Sequence, residues 1–325
     1  MKQITHLVFS GNALKSICLC GVLRYIYFYN LHLNIREVSG TSMGSFFALC
    51  YALQIPIEEL EQIISRTCDN IDNSRIYPHL IMNFVNNYGF MSSHNYLIEL
   101  KAYIKKVYDM DDMTFLELSK KTGINIYVST TRVYDGSNII FNVNDTPDIS
   151  VFDAVSASMC LPIIAKPVII DGVYYIDGFL SNNFPYEVFS NINKDNILGI
   201  SVYLDEENYL NDITNMGQGD MTLFQYYLNI LYILYKNTDK YTHYNKIINH
   251  PDCLIIRQSE VKSIFTPNIT EDYIDLSIDR KIVDNLFLQG FKCIYDYMES
   301  HNKEIIKEPF IEEIKEIEIK EKERK

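Results

Sequence analysis

The sequence predicts an α/β fold, a mostly parallel central sheet flanked by helices on both faces. Three observations point there. Short apolar runs of strand length alternate with longer segments of helical spacing. Two of the strand-to-helix passages turn through small residues, at Ser10-Gly11-Asn12-Ala13 and at Gly40-Thr41-Ser42-Met43-Gly44. Hydrophobic residues make up 47% and charged residues 22% of 325 positions, the balance of a packed globular protein with a large core.

Thr5 to Ser10 reads as a short buried strand and Ala13 to Asn30 as a helix packed on one face. Ile35 to Ser39 reads as a second strand, followed by the Gly40 to Gly44 turn and an apolar helix from Ser45 to about Leu53, ahead of Pro56. Pro56 to Cys68 and His94 to Tyr108 have the spacing of amphipathic helices, and Asn125 to Thr131 and Asn138 to Val143 that of strands around an Asp135-Gly136 turn. Pro167 to Asp177 reads as a hairpin with Asp171-Gly172 in a type I′ turn, which leaves Asp177 at the end of its second strand. Ile197 to Tyr203 and Cys253 to Arg257 read as further buried strands, Asp279 to Ser300 as a long final helix, and His301 to Lys325 as a Lys/Glu/Ile-rich tail facing water.

Composition excludes several classes of partner. A formal charge of -13 repels polyanions, so nucleic acid is not expected. Seven Cys without a CxxC pair or a zinc spacing read as free thiols of a reducing compartment, Cys18 and Cys20 among them. The N-terminus lacks a secretory pattern, and the longest apolar stretch, Leu223 to Tyr235 within 221–235, is about half a bilayer span and contains Gln225 and Asn229. That stretch reads as a buried helix, with an acyl-lining or bilayer-touching helix as the alternative. The expected location is cytoplasmic, with peripheral membrane contact where a lipid substrate demands it. No EF-hand loop or acidic cluster is placed to bind calcium, and no metal or cofactor is expected.

Gly40-Thr41-Ser42-Met43-Gly44 is a G-x-S-x-G motif set between a predicted strand and a predicted helix, the context in which a sharp turn presents a nucleophilic serine. The helix start aims N–H groups and a positive dipole end at Ser42, suited to an oxyanion. The loop Gly11-Asn12-Ala13, followed by Lys15, can add further backbone donors. It lacks the G-x-x-x-x-G-K-[ST] pattern of a nucleotide-phosphate loop. Asp177-Gly178 at a strand end can point a carboxylate into a cleft, whereas Asp171-Gly172 serves as a turn.

Together with Ala154 to Pro162 and Asn183-Phe184-Pro185, these segments resemble, in order and spacing, the motifs of the patatin-like phospholipase family over roughly residues 5 to 205. The resemblance implies a three-layer α/β/α fold and a phospholipid or other fatty-acyl ester as substrate. It also implies a dyad of Ser42 as nucleophile and Asp177 as base. Gly11, Asn12 and Ala13 would form the oxyanion hole, with Lys15, Gly40, Gly44 and Gly178 supporting the motifs. Residues 1–205 would then be the catalytic core, 206–300 would complete the same domain, and 301–325 would be a charged tail. Two departures stand out: Asn12-Ala13 and Ser16 replace glycines of the family's loop, and Phe179 follows Asp177-Gly178 where a small residue is usual. A left-handed Ala would cost roughly 1 kcal/mol or more. Two alternatives are open, a Ser-Asp-His triad drawing on His243, His250 or His301, and a lipid-binding scaffold without turnover.

Overall fold

The apolar runs pair into one sheet in the computed structural model, which describes residues 3–72, 81–204, 253–258, 268–269, 274–275 and 280–301, with positions 226, 229–230, 233–234 and 278. Strands β1 (His6–Phe9), β2 (Glu37–Thr41), β4 (Asn125–Arg132), β9 (Ile197–Leu204) and β10 (Cys253–Gln258) form the parallel centre, paired in the order β10-β9-β1-β2-β4. The short β3 (Gly89–Met91) and β6 (Ile163–Ala165) pair with each other outside that sheet. The expected hairpin is present as β7 (Val168–Ile170) and β8 (Val173–Asp177), and Asp171 and Gly172 have φ of 49° and 78°, the left-handed pair a type I′ turn needs.

Strand β4 carries the geometry that matters. Thr130 and Thr131 pair antiparallel with Ile139 and Asn138 of β5 (Asn138–Asn142) and also with Asp177 and Ile176 of β8. One edge of β4 is therefore filled by β5, and the other is shared end to end. β2 takes it as far as Thr41 opposite Ser129, and β8, running the other way, takes it from Asp177 opposite Thr130. Two strands thus point their C-terminal ends at each other across a single step of the ladder.

Alternation along β1 separates two layers. Leu7 and Phe9 face one cluster and Val8 the other. The first takes in side chains of α1 (Leu19–Phe28), α2 (Met43–Ala52), α3 (Ile57–Asp72), α5 (Ile98–Tyr108), α6 (Phe115–Thr122), α7 (Val151–Ser158) and α8 (Arg280–His301). A further helix, α4 (Ile81–Asn87), precedes β3. The second face is covered, among the described residues, by the 3-10 turns that follow β8, through Phe184 and Phe189. Among the described residues the long α-helices gather on the first face, and the helices of the second are short 3-10 segments.

Boundaries shift where packing overrides local pattern. The helix expected from Ala13 begins as a 3-10 segment, Ala13–Cys18, and becomes α-helical only at Leu19. Asn12 offers it no side-chain cap. β2 runs to Thr41 instead of Ser39 because Gly40 and Thr41 are still in register with Val128 and Ser129. Helix α6 has no counterpart in the sequence reading, although Thr114 and Glu117 form a capping box at its start. Most of 221–235 lies outside the described residues, as does 302–325.

Helix α8 meets α1 at backbone distance. A Cβ on Gly290 would overlap the Cys18 carbonyl oxygen, and one on Gly21 the Phe287 carbonyl oxygen. Gly290→Ala must separate the two helices, and overpacking of this kind costs about 1–3 kcal/mol. The expected result is a lower urea midpoint with an unchanged m-value.

Candidate active site

Residue 42 stands where β2 ends and α2 begins, and the tightness of that turn dictates its neighbours. A Cβ on Gly44 would lie 2.6 Å from the carbonyl oxygens of Phe9 and Ser10, and one on Gly40 2.5 Å from the Gly44 carbonyl oxygen. Glycine is the residue that lets helix and strand approach so closely. Ser42 itself has φ 52° and ψ -130°, a sparsely populated conformation that costs on the order of 1–3 kcal/mol. Strain of this type is held at a nucleophile elbow because it lifts the serine hydroxyl clear of the backbone.

From the opposing strand end, Asp177 receives that hydroxyl: Ser42 Oγ donates to Asp177 Oδ2 at 2.7 Å. The other oxygen, Oδ1, accepts from the Phe179 N–H at 3.0 Å. Asp177 N–H donates to the Cys160 carbonyl, and Thr131 Oγ1 donates to the Asp177 carbonyl. The residue is therefore fixed at every polar atom. Gly178 is required next to it, since a Cβ there would strike the Ser129 carbonyl oxygen. Burial disfavours the charged carboxylate and pushes its pKa from 3.8 up to about 7, against the opposing pull of the Phe179 and Ser42 hydrogen bonds. A carboxylate with this pKa is half ionised near neutrality and can both take and return a proton.

The loop after β1 lies against the same serine, with a Cβ on Gly11 only 2.6 Å from Ser42 Cβ. Asn183 holds it from both sides: Gly11 N–H donates to Asn183 Oδ1 at 3.2 Å and Asn183 Nδ2 donates to the Gly11 carbonyl at 3.0 Å. Asn12 N–H is taken by Ser16 Oγ at 2.8 Å. Gly11 and Asn12 thus spend their N–H groups on holding the loop. Ala13 adopts φ 45°, so the strain that replacing glycine implies is accepted rather than avoided. Lys15 is buried, and its N–H bonds to the Asn12 carbonyl.

Several supporting groups escaped the sequence reading. Thr41 Oγ1 and Ser129 Oγ both donate to the Asn182 carbonyl, at 2.8 and 3.0 Å. Ser42 N–H donates to Ser158 Oγ. Ser158 and Asn183 belong to segments whose motif pattern was legible, but which hydroxyl or amide would reach the elbow was not. Among the described residues no histidine bonds to Ser42. His243 and His250 lie outside the described residues, and His301 ends α8. His94 does sit between a carboxylate and a hydroxyl, Asp153 at 2.9 Å and Ser156 at 2.9 Å, but that serine is fully buried. It serves to tie α7 to the 3-10 segment Ser93–Leu97.

Comparison with known proteins bears on this geometry. The family model described as Patatin-like phospholipase matches residues 7–190. The chain is 29% identical over 191 residues to the protein named Probable lipid hydrolase 463L of Invertebrate iridescent virus 6, covering 58% of this chain and 63% of that one. Its alignment thus spans slightly less than two thirds of that relative. It is 26% identical over 210 residues to an uncharacterized protein of Acanthamoeba polyphaga mimivirus, covering 63% of this chain and 68% of that one. Among solved structures, VipD from Legionella pneumophila superposes with a TM-score of 0.59 at 14% identity, covering 92% of this chain and 67% of that chain, a likeness of fold.

Two stability measurements test the site. Ala13→Gly relieves a left-handed alanine and is expected to raise stability by about 1 kcal/mol in urea denaturation. Asp177→Asn is expected to stabilise the fold at alkaline pH. The folded pKa of about 7 lies above the ordinary 3.8, so wild type loses stability as pH rises between those values, by on the order of 4 kcal/mol at about 1.4 kcal/mol per pH unit. The asparagine variant has no such slope, and the gap between the two should close as pH falls from 7 to 4.

Proposed function

Because the chain belongs to the patatin-like phospholipase family, we propose that it is a lipid acyl hydrolase of phospholipase A or lysophospholipase type, working through a Ser42–Asp177 dyad. The observation that carries this reading is the 2.7 Å hydrogen bond from the strained Ser42 hydroxyl to a buried carboxylate. In the first step Ser42 Oγ attacks the ester carbonyl while Asp177 Oδ2 takes its proton. The oxyanion of the tetrahedral intermediate is met by the N–H groups of Ala13, Met43 and Gly44. Asp177 then returns the proton to the leaving alcohol, giving an acyl-enzyme on Ser42. Water enters in place of the alcohol, loses its proton to Asp177, and releases the fatty acid as the proton passes back to Ser42.

A fatty-acyl ester presents itself at a lipid surface, so transient contact with a membrane from a cytoplasmic location belongs to the same proposal, and nucleic acid does not. Among the described residues no helix is long and apolar enough to cross a membrane. The net charge of -13 disfavours anionic leaflets, leaving apolar contact to provide the attraction.

Hydrolysis of a short-chain ester tests the reading directly. Ser42→Ala abolishes turnover, Asp177→Asn lowers it by at least 10²–10⁴-fold, and Asp171→Asn leaves it intact because Asn suits the type I′ turn equally well. Since Asp177 acts in its ionised form, kcat/KM should rise with pH through about 7 and then level. Full activity of Asp177→Asn, with loss on substituting His243 or His250, would replace the dyad with a triad. Failure of Ser42 to react with a fluorophosphonate in the folded wild type would leave the lipid-binding scaffold.

A further inference from the structure

At the elbow the backbone N–H of Ser42 has no place in either neighbouring element. The β2 ladder on β4 ends with Thr41 opposite Ser129, and α2 begins at Met43. Ser158, the last residue of α7 and fully buried, fills that break with its hydroxyl: it accepts from Ser42 N–H at 2.8 Å and donates to the Ser129 carbonyl at 2.6 Å. One hydroxyl thus bridges, donor to acceptor, the two backbone groups left over where the ladder stops.

Resting on the hydrolase reading above, we propose that Ser158 is a positioning residue for the reaction: its hydroxyl sets the plane of the Thr41–Ser42 peptide and thereby aims Ser42 Oγ at Asp177. It touches neither substrate nor the reacting atoms. The strained backbone of Ser42 would otherwise relax by rotating this peptide, and a displacement of about 1 Å at a reacting group costs on the order of 10²-fold in rate. The hydroxyl is itself held still. Helix α7 is capped by Ser150 Oγ and anchored through Asp153 and Ser156 to His94. Rigid support of that kind is what positioning requires.

The test compares wild type, Ser158→Ala and Ser158→Thr on a soluble short-chain ester across pH, with circular dichroism confirming the fold of each. Ser158→Ala is expected to lose about 10²-fold in kcat with KM within about twofold, and Ser42 should react with a fluorophosphonate more slowly by a similar factor. Because the Ser42 hydrogen bond holds the Asp177 pKa down, a misaimed serine also moves the acid limb of the rate profile to higher pH. Ser158→Thr keeps the hydroxyl and should restore most of the rate and the original limb. If Ser158→Ala does not fold, Ser158→Cys, which supplies only a weak donor and acceptor, carries the same comparison. A folded variant with wild-type kcat overturns the proposal, as does one with lower kcat but an unmoved acid limb and unchanged labelling, which is the signature of a merely structural role. A wild type inert to both ester and fluorophosphonate overturns the hydrolase reading and this proposal with it, an outcome distinct from an active wild type indifferent to residue 158.

Discussion

The site depends on two strands sharing one edge of β4 head to head. A parallel strand that reaches its last ladder position has its next residue free to turn away, and here that residue is Ser42. The antiparallel strand arriving from the other direction delivers its own last residue, Asp177, to the adjacent ladder position. Ser42 and Asp177 are 135 positions apart in sequence, yet their separation in space is set by one step of a β ladder. Side-chain placement this close needs rigid backbone on both partners, and a sheet supplies it better than loops do.

Such an arrangement leaves a break in the middle of a sheet, and breaks expose polar groups that burial makes costly. The segment after β8 closes it from one face. The Asn182 carbonyl collects the hydroxyls of Thr41 and Ser129, the last paired rung of β2 and β4 before the break, and Asn183 clasps Gly11 in the loop after β1. Helix α7 closes it from the other through Ser158. This dense set of buried hydrogen bonds lets the fold hold a left-handed Ala13, a strained Ser42 and a buried carboxylate together. Each is unfavourable alone, and each lies where chemistry is expected to need it.

How much of this the sequence discloses follows from the range of each signal. The type I′ turn at Asp171-Gly172, the elbow glycines around Ser42 and the position of Asp177 at a strand end are local consequences of backbone conformation, and they are readable from a few adjacent residues. The pairing of β8 with β4 beyond the end of β2 joins segments far apart in the chain, so no short window contains it. The same holds for the partners of Ser158 and Asn183, whose residue types were visible within motifs but whose contacts are tertiary. Helix α6 was legible in principle through Thr114 and Glu117. The close approach of α1 and α8 at Gly21 and Gly290 was not, because it brings together residues far apart in the chain. Packing of that kind overrides local propensity.

In the proposed dyad, a carboxylate base held in this way needs no third member. Imidazole has two distinct nitrogens, so a histidine base requires a partner to fix which of them carries the proton. The two oxygens of Asp177 divide the same duties within one group: Oδ1 is tethered by the Phe179 N–H, which fixes the plane of the carboxylate, and Oδ2 faces Ser42. What a carboxylate ordinarily lacks is basicity near neutral pH, and burial provides it by raising the pKa to about 7. Burial and tethering must then be balanced, since each added hydrogen bond to the charged form lowers the pKa again. One backbone donor and one serine hydroxyl hold the group in place while leaving it basic enough to act.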